Sequence, residues 1–267
     1  MSRIDQALHE LKSIDELARG TSPVHRFSTL SKLLVSAVYI LTVMSFPKYA
    51  LSELFLMILY PVIISALSGI ELRLALKRMR YVLPLVMAVG LFNPLLDRRP
   101  VLFIGTLPVS GGILSLLSLM MKGIFCLLAS FFLIGTTPAD RLFASLRKIH
   151  LPSGIVTLLL LTWRYLTVLG EEAAVMMTAY HLRAPGQKGL HWRTWGSFIG
   201  QLLLRTLDRG RELYDSMLLR GYQGDFPAVR QEKFRLKDLL YVLAWISCFI
   251  ILRKYNIAAL IGRGAGL

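Results

Sequence analysis

The residues from which many catalytic and metal sites are built are scarce in this chain. It has two cysteines, Cys126 and Cys248, and five histidines among 267 residues. Both cysteines fall within apolar runs, where a free cysteine is typically a packing residue. The histidines share no ligand spacing, and neither a C-x-x-C pair nor an H-E-x-x-H motif occurs. We therefore expect no resident cofactor and no metal site built by this chain alone.

A phosphate-binding loop is also missing from the sequence. The dipeptide Gly-Lys occurs nowhere, so the motif G-x-x-x-x-G-K-[ST] is absent. Nothing resembles a nucleophile placed beside an activating base. The sequence thus predicts a protein that is not an enzyme in its own right, and not itself an ATPase of the phosphate-loop class.

Apolar and basic residues, by contrast, are abundant. Hydrophobic residues make up 55% of the chain, the mean hydropathy is +0.57, and the formal net charge is +15. The Lys and Arg residues lie between apolar runs rather than in an aromatic-rich basic patch, which argues against nucleic-acid binding. Composition and long apolar runs together predict an all-α integral membrane protein that lies in the lipid bilayer.

Five segments approach the roughly 20 apolar residues that a helix needs to cross a bilayer. They are residues 33–46, 49–68, 81–96, 111–135 and 237–253. A sixth stretch, 151–170, is ambiguous by hydropathy alone. The sequence therefore predicts about five transmembrane helices, with a helical insert between the fourth and the fifth.

The distribution of Lys and Arg orients these spans. Basic residues number five in 1–32, four in 70–80 and fourteen in 136–236, but only one in 47–48 and two in 97–110. This alternation places the N-terminus and the insert in the cytoplasm. If 151–170 crossed the membrane, the arginines of 171–236 would lie outside. We therefore expect 151–170 to form a cytoplasmic helix, covered by membrane proteins or by the bilayer face.

The predicted organisation has four parts. They are a cytoplasmic N-terminal segment 1–28, a four-helix transmembrane region 29–135, a cytoplasmic helical module 136–236, and a last transmembrane helix with a tail, 237–267. In the module, Thr137 can cap a short helix that begins with Pro138 and ends near His150. Apolar periodicity predicts two long helices, at about 153–183 and 192–220.

One charge falls inside a predicted span. Lys122 is in the middle of 111–135, where a lysine costs about 2.5–3.5 kcal/mol on insertion scales and usually faces protein. Three interpretations stay open. The helix breaks near Lys122-Gly123 or lets the lysine snorkel, the lysine contacts another membrane subunit, or it pairs internally with Glu53 or Asp97.

The second long helix carries an apolar stripe that we expect to pack against the first. Its members repeat at helical spacing and are Leu203, Leu207, Tyr214 and Met217. The facing surface of the first helix includes Met176 and Met177, and methionine tolerates repacking. Such a contact would let the two helices slide without opening voids.

Near-copied arginine turns close the two long helices, in MMTAYHLRAPG and LYDSMLLRGYQG. Each has a small residue four positions before the arginine and another directly after it: Ala179, Arg183 and Ala184 in the first, Ser216, Arg220 and Gly221 in the second. Taken alone, an arginine followed by glycine is a common helix stop. Two such turns on one membrane face favour a further role, because an arginine at a helix tip can enter a partner's groove and pair with carboxylates.

At this point the sequence resembles the transmembrane T component of energy-coupling factor (ECF) importers, within the cobalt-type CbiQ group. The resemblance rests on Thr29-Leu30-Ser31-Lys32 before the first span, on TTPAD at 136–140, and on the paired turns. The family's two Ala-Arg-Gly-type signatures correspond to Leu182-Arg183-Ala184 and Leu219-Arg220-Gly221. Both have Leu in place of the first Ala, and the first has Ala in place of Gly, but both arginines are retained.

The resemblance implies a non-catalytic coupling subunit. Each signature helix of a T component docks in a groove of one of two ABC-type ATPase subunits, and its movement reorients a separate substrate-binding membrane subunit. On this chain the implied ATPase-coupling residues are Arg183, Ala184, Arg220, Gly221, Ala179 and Ser216. Cobalt ion is the implied cargo and would bind the substrate subunit. A nickel or vitamin importer is the alternative.

Two other classes of protein share some of these features. A membrane scaffold or receptor without transport would also have spans and a basic insert. An autonomous secondary transporter would be expected to show polar residues along several spans, or two broken helices. Gly90, Asn93 and Pro94 hint at one broken helix, but no counterpart exists elsewhere in the sequence.

Overall fold

The structure is a computed structural model that describes residues 3–80, 82–92, 100–104, 107–187, 189–224 and 234–254. Helices dominate, which confirms the predicted fold class. In chain order the elements are α1 Arg3–Ala18, α2 Thr29–Met44, α3 Leu51–Leu56, α4 Leu59–Ser68, α5 Leu72–Met79, α6 Leu83–Gly90, β1 Pro100–Ile104, β2 Leu107–Ser110, α7 Gly111–Gly135, α8 Ala139–Leu146, α9 Ser153–Arg183, α10 Trp192–Leu219 and α11 Leu236–Lys254. Short 3-10 helices lie at Pro23–Arg26 and Arg147–Ile149.

The chain divides into two compact units. The first, which we call the core unit, consists of Leu17–Pro138 and Glu232–Leu267. The second, the insert unit, consists of Met1–Glu16 and Ala139–Gln231. Among the residues that the structure describes, three helical segments are long and apolar enough to cross a membrane: Leu51–Ser68 and Gly111–Gly135 in the core unit, and Ser153–Arg183 in the insert unit.

Helix α7 is the centre of the core unit. Helices α2 to α6 all contact it, and α11 packs on α2 and α3. With 25 residues it is about 37 Å long, enough to cross the hydrocarbon core. Around it, the largest buried side chains are aromatic: Tyr39, Phe132 and Phe249 are each no more than 1% exposed. Burial of such side chains is the main source of packing energy in this unit.

The second predicted span is interrupted rather than continuous. It forms α3 and α4 with a turn at Met57 and Ile58 between them. Pro61 explains the interruption, because a proline has no N–H to donate to the carbonyl four residues earlier, that of Met57. The Tyr39 hydroxyl donates to this carbonyl instead, at 2.8 Å, and the Tyr39 ring stacks on Tyr60 at 4.4 Å.

Two cationic side chains donate hydrogen bonds to backbone carbonyls directly after α2, which ends at Met44. Lys122 Nζ donates to the carbonyl of Phe46 at 2.5 Å. Arg253, near the end of α11, donates to the carbonyl of Ser45 at 2.8 Å and lies over the Phe46 ring. The last carbonyls of a helix lack intrahelical donors, and a positive charge complements the helix dipole there.

The expectation of a break near Lys122-Gly123 is wrong, since α7 runs unbroken from Gly111 to Gly135. The partner that the structure gives Lys122 is the backbone carbonyl of Phe46 and not Glu53. Asp97 lies outside the described residues. A contact of Lys122 with another subunit stays a prediction.

Two further differences concern the region between α5 and α7. Within the predicted span 81–96 the structure describes only residues 82–92. They include helix α6, which has eight residues. Strands β1 and β2 then form an antiparallel hairpin in which Leu102 pairs with Val109 and Ile104 with Leu107. This hairpin lies between the third and fourth predicted spans, in a stretch for which no strands were predicted.

The insert unit contains the two long helices predicted from periodicity. Helix α9 ends at Arg183 and α10 runs from Trp192 to Leu219, which confirms both predictions. The capping role predicted for Thr137 is wrong. Within the described part of the chain its buried Oγ1 has no hydrogen-bond partner, and α8 begins two residues later. The cytoplasmic position of 151–170 stays a prediction.

Candidate functional site

Helix α9 ends through a turn that follows Arg183. The N–H of Ala184 donates to the carbonyl of Tyr180 at 3.0 Å and completes the last helical turn. The chain then reverses between Ala184 and Gln187, whose N–H donates back to the Ala184 carbonyl at 3.4 Å. Pro185 and Gly186 occupy the centre of this turn, and Gly186 has φ +90°. That arrangement matches a type II turn.

Helix α10 ends differently, in a Schellman motif after Arg220. The N–H of Gly221 donates to Leu218 at 2.9 Å, and the N–H of Tyr222 donates to Met217 at 3.0 Å. Gly221 has φ +80°, a left-handed conformation that a residue with Cβ adopts only with strain. The backbone therefore favours glycine at this position.

The two arginine turns are thus alike in sequence but not in backbone. Ala184 has φ −127°, so an ordinary residue fits there, and the chain turns two residues later at Gly186. This backbone conformation explains why the first signature can have Ala where the second has Gly. Both arginines nevertheless remain at the ends of their helices.

Each helix tip exposes a leucine beside its arginine. Leu182 is 79% exposed and Leu219 is 90% exposed, and Arg183 and Arg220 are exposed as well. Of the two small residues four positions earlier, Ala179 is exposed, and half-buried Ser216 donates to the carbonyl of Leu213. The leucines were noted in the sequence only as departures from a pattern. Their exposure gives each tip an apolar and a cationic group side by side.

Adjacent acidic residues in the middle of α9 join it to two other helices. Glu171 pairs with Lys12 of α1 at 2.9 Å, and Glu172 forms an ion pair with Arg205 of α10. Neighbouring residues of a helix point about 100° apart, so the two ion pairs leave α9 in different directions. These side chains are 38–59% exposed, and ion pairs of this kind contribute typically about 0–1 kcal/mol each. Neither pair follows from sequence spacing.

The predicted packing stripe of α10 is only partly covered. Met217 is 8% exposed, whereas Leu203, Leu207 and Tyr214 are each 50–57% exposed. Helices α9 and α10 do contact each other. Mutual packing through the whole stripe stays a prediction.

Two sequence motifs singled out far apart meet at the start of α2. Lys32 Nζ donates to the carbonyl of Thr136 at 2.7 Å, which joins TLSK at 29–32 to TTPAD at 136–140. Lys32 is 5% exposed and Thr136 is 2% exposed. Lys32 therefore supplies both a donor and a positive charge at the C-terminal end of α7.

Asp238 was not anticipated from the sequence, although an acid just inside a helix start is a usable signal. Its carboxylate is buried and accepts from the N–H of Ser28 and from that of Arg235, each at 2.8 Å. Ser28 precedes α2 and Arg235 precedes α11. One carboxylate thus caps the N-termini of two helices.

His25 completes this group of contacts. Its Nε2 lies 3.1 Å from the carbonyl of Leu17 and must donate to it, so Nδ1 accepts from the Ser22 hydroxyl at 2.6 Å. Burial lowers the pKa of His25, and the nearby charge of Lys32 lowers it further, while the hydrogen bond to Leu17 acts in the opposite direction. The neutral imidazole fits these two hydrogen bonds.

No three His, Cys, Asp or Glu side chains come together as a metal site within the described ranges. The candidate site described above therefore consists of the two exposed helix tips and of the buried contacts around Lys32 and Asp238.

Comparison with known proteins identifies relatives of this chain. A family model described as cobalt transport protein (CbiQ) matches residues 20–232. An uncharacterized protein of Methanocaldococcus jannaschii is 25% identical over 191 residues, 68% of this chain and 65% of the relative. The cobalt transport protein CbiQ of Rhodobacter capsulatus is 38% identical over 34% of this chain and 37% of its own.

A third relative, the nickel permease LarQ of Lactiplantibacillus plantarum, is 29% identical over 42% of each chain. The chain thus covers less than two thirds of the length of each of these three relatives.

The Schellman motif predicts that alanine at Gly221 loosens the tip of α10. A left-handed alanine costs about 1–2 kcal/mol, so amide hydrogen exchange over 213–224 should be about 5–30-fold faster in Gly221→Ala. The matched control is Gly210→Ala, in the middle of the same helix, where a Cβ meets open space. It should slow exchange locally or leave it unchanged. Equal exchange in Gly221→Ala and the unsubstituted protein would show that the motif does not hold the tip.

Proposed function

Since the chain belongs to the CbiQ cobalt transport protein family, we propose that it is the transmembrane coupling (T) subunit of an ECF-type ABC importer. In this role two ABC-type ATPase subunits bind the insert, and their ATP-driven movement passes through the spans to a separate substrate-binding membrane subunit. The chain itself catalyses no reaction. The observation that carries the proposal is the pair of helix tips, each exposing a leucine and an arginine.

The exposed tips favour docking over a purely structural helix stop. To end a helix, the chain needs only hydrogen-bond partners for its last backbone groups. In both turns the bonds that close the helix run between backbone groups and do not involve the arginine side chains. Leu182 and Leu219 would be costly to leave in water, at about 25 cal/mol per Å² of apolar surface. A groove with an apolar wall and carboxylates accommodates both groups of each tip.

Cobalt ion is the proposed cargo, because the family and one relative are named for cobalt transport. A relative named as a nickel permease makes nickel the specific alternative. In both cases the ion is substrate and is bound by the partner membrane subunit. The half-exposed stripe at Leu203, Leu207 and Tyr214 is proposed to be covered when the complex assembles.

Reversing the charge at either tip should weaken ATPase binding. Replacing an arginine that pairs with buried carboxylates costs about 2–5 kcal/mol, and reversal costs at least as much. We expect Arg183→Glu and Arg220→Glu each to reduce co-purification of the ATPase subunits strongly, and the double variant to abolish it. Arg211→Glu, an exposed charge reversal on the body of α10, is the matched control and should assemble normally. Normal assembly of the double variant would refute docking through the tips.

The proposed orientation places the insert in the cytoplasm. In a background without Cys126 and Cys248, single cysteines at Gln187 and Gln223, both exposed, should resist a membrane-impermeant maleimide in intact cells. A cysteine at exposed Lys48, in the short turn after α2, should be labelled and serves as the positive control. Ready labelling at both 187 and 223 would instead make 151–170 a true span.

A further inference from the structure

The contacts around Lys32 link every point at which the chain passes between its two units. The chain leaves or enters the core unit after Glu16, after Pro138 and after Gln231. Leu17 directly follows the first of these points, Thr136 lies shortly before the second, and Asp238 lies shortly after the third. All three are held by residues of a single short segment, 25–32.

We propose that this set of contacts, the Lys32 junction, transmits movement of the insert unit to the membrane helices. We define the junction as Leu17, His25, Ser28, Lys32, Thr136 and Asp238. Lys32 and Asp238 are its positioning residues. The inference rests on the proposed coupling function, but it concerns residues that the arginine signatures do not include.

Burial and charge make the junction rigid. Ser28, Lys32, Thr136 and Asp238 are all 5% exposed or less. Lys32 complements the negative end of α7, and Asp238 complements the positive ends of α2 and α11. Hydrogen bonds to charged groups are roughly twice as strong as neutral ones. A displacement of the chain at any of the three passages therefore moves the ends of these helices together.

The opposite end of α2 provides a comparison. Arg253 there ties α11 to the carbonyl of Ser45, also with a charged donor on a helix end. The passages between the units all lie close in sequence to the Lys32 junction, and Ser45 is remote from them. Loss of the Arg253 contact should therefore affect packing but not transmission.

The test compares variants of these two ends in the complete transporter, reconstituted with its ATPase and substrate subunits. ATP hydrolysis and uptake of radiolabelled Co²⁺, with Ni²⁺ as the second probe, are measured in one preparation. We expect Lys32→Met to assemble and to hydrolyse ATP, but to lose about tenfold in uptake per ATP, as loss of a charge-assisted hydrogen bond would produce. Lys32→Arg, which keeps the cation, should retain most of the coupling.

Arg253→Met should keep the uptake per ATP of the unsubstituted protein. If Lys32→Met does not assemble, the same measurement on Asp238→Asn, which keeps size and one acceptor oxygen, decides the question. Unchanged coupling in the Lys32 or Asp238 variant, or an equal loss in Arg253→Met, would overturn the junction. Absence of ATP-dependent uptake in the unsubstituted complex would instead overturn the proposed function itself.

Discussion

The hydrogen bond from Lys32 to the carbonyl of Thr136 fixes where α7 ends, and thus where the chain leaves the core unit. The last carbonyls of a helix have no intrahelical donor, and a hydrocarbon environment supplies no water. The same constraint is met at the far end of α2 by Lys122 on the carbonyl of Phe46. Lys32 and Phe46 are fourteen residues apart in sequence, and so are Lys122 and Thr136, a separation of about 21 Å along a helix. The two contacts therefore hold α2 and α7 antiparallel and in register.

Buried apolar side chains are concentrated in one of the two units. The cluster of buried hydrophobic side chains lies within the core unit, with Tyr39, Phe132 and Phe249 at its centre. Both units leave large apolar groups exposed, and in the insert unit the most exposed are Leu219 (90%), Trp192 (86%) and Leu182 (79%). An insert that presents apolar and cationic groups at its two helix tips suits the proposed binding of partner subunits.

Local patterns in the sequence predicted the parts of this fold that local chemistry determines. The ends of α9 and α10 follow from apolar periodicity and from the turn residues after Arg183 and Arg220. The carbonyl partner of Lys122 could not be predicted, because it depends on which helix packs against α7. The role of Asp238 in capping α2 likewise needs the tertiary arrangement, since Ser28 is 210 residues away.

Some functional residues could likewise be found from the sequence, and others only from the structure. The arginine turns were visible in the sequence, although the Schellman motif at Gly221 and the Pro-Gly turn after Ala184 are distinguished only by backbone geometry. The interruption between α3 and α4 could have been expected from Pro61, but the hydroxyl of Tyr39 that satisfies the Met57 carbonyl could not. Residues that act through distant partners carry little signal in a single sequence.

The most direct measurement of the coupling role is affinity isolation of the unsubstituted chain from its own membranes in mild detergent, with identification of the proteins that accompany it. The account predicts ABC-type ATPase subunits and a separate substrate-binding membrane protein in the same particle, together with ATP hydrolysis by that particle. Recovery of the chain alone, or with membrane partners but no ATPase, would contradict it.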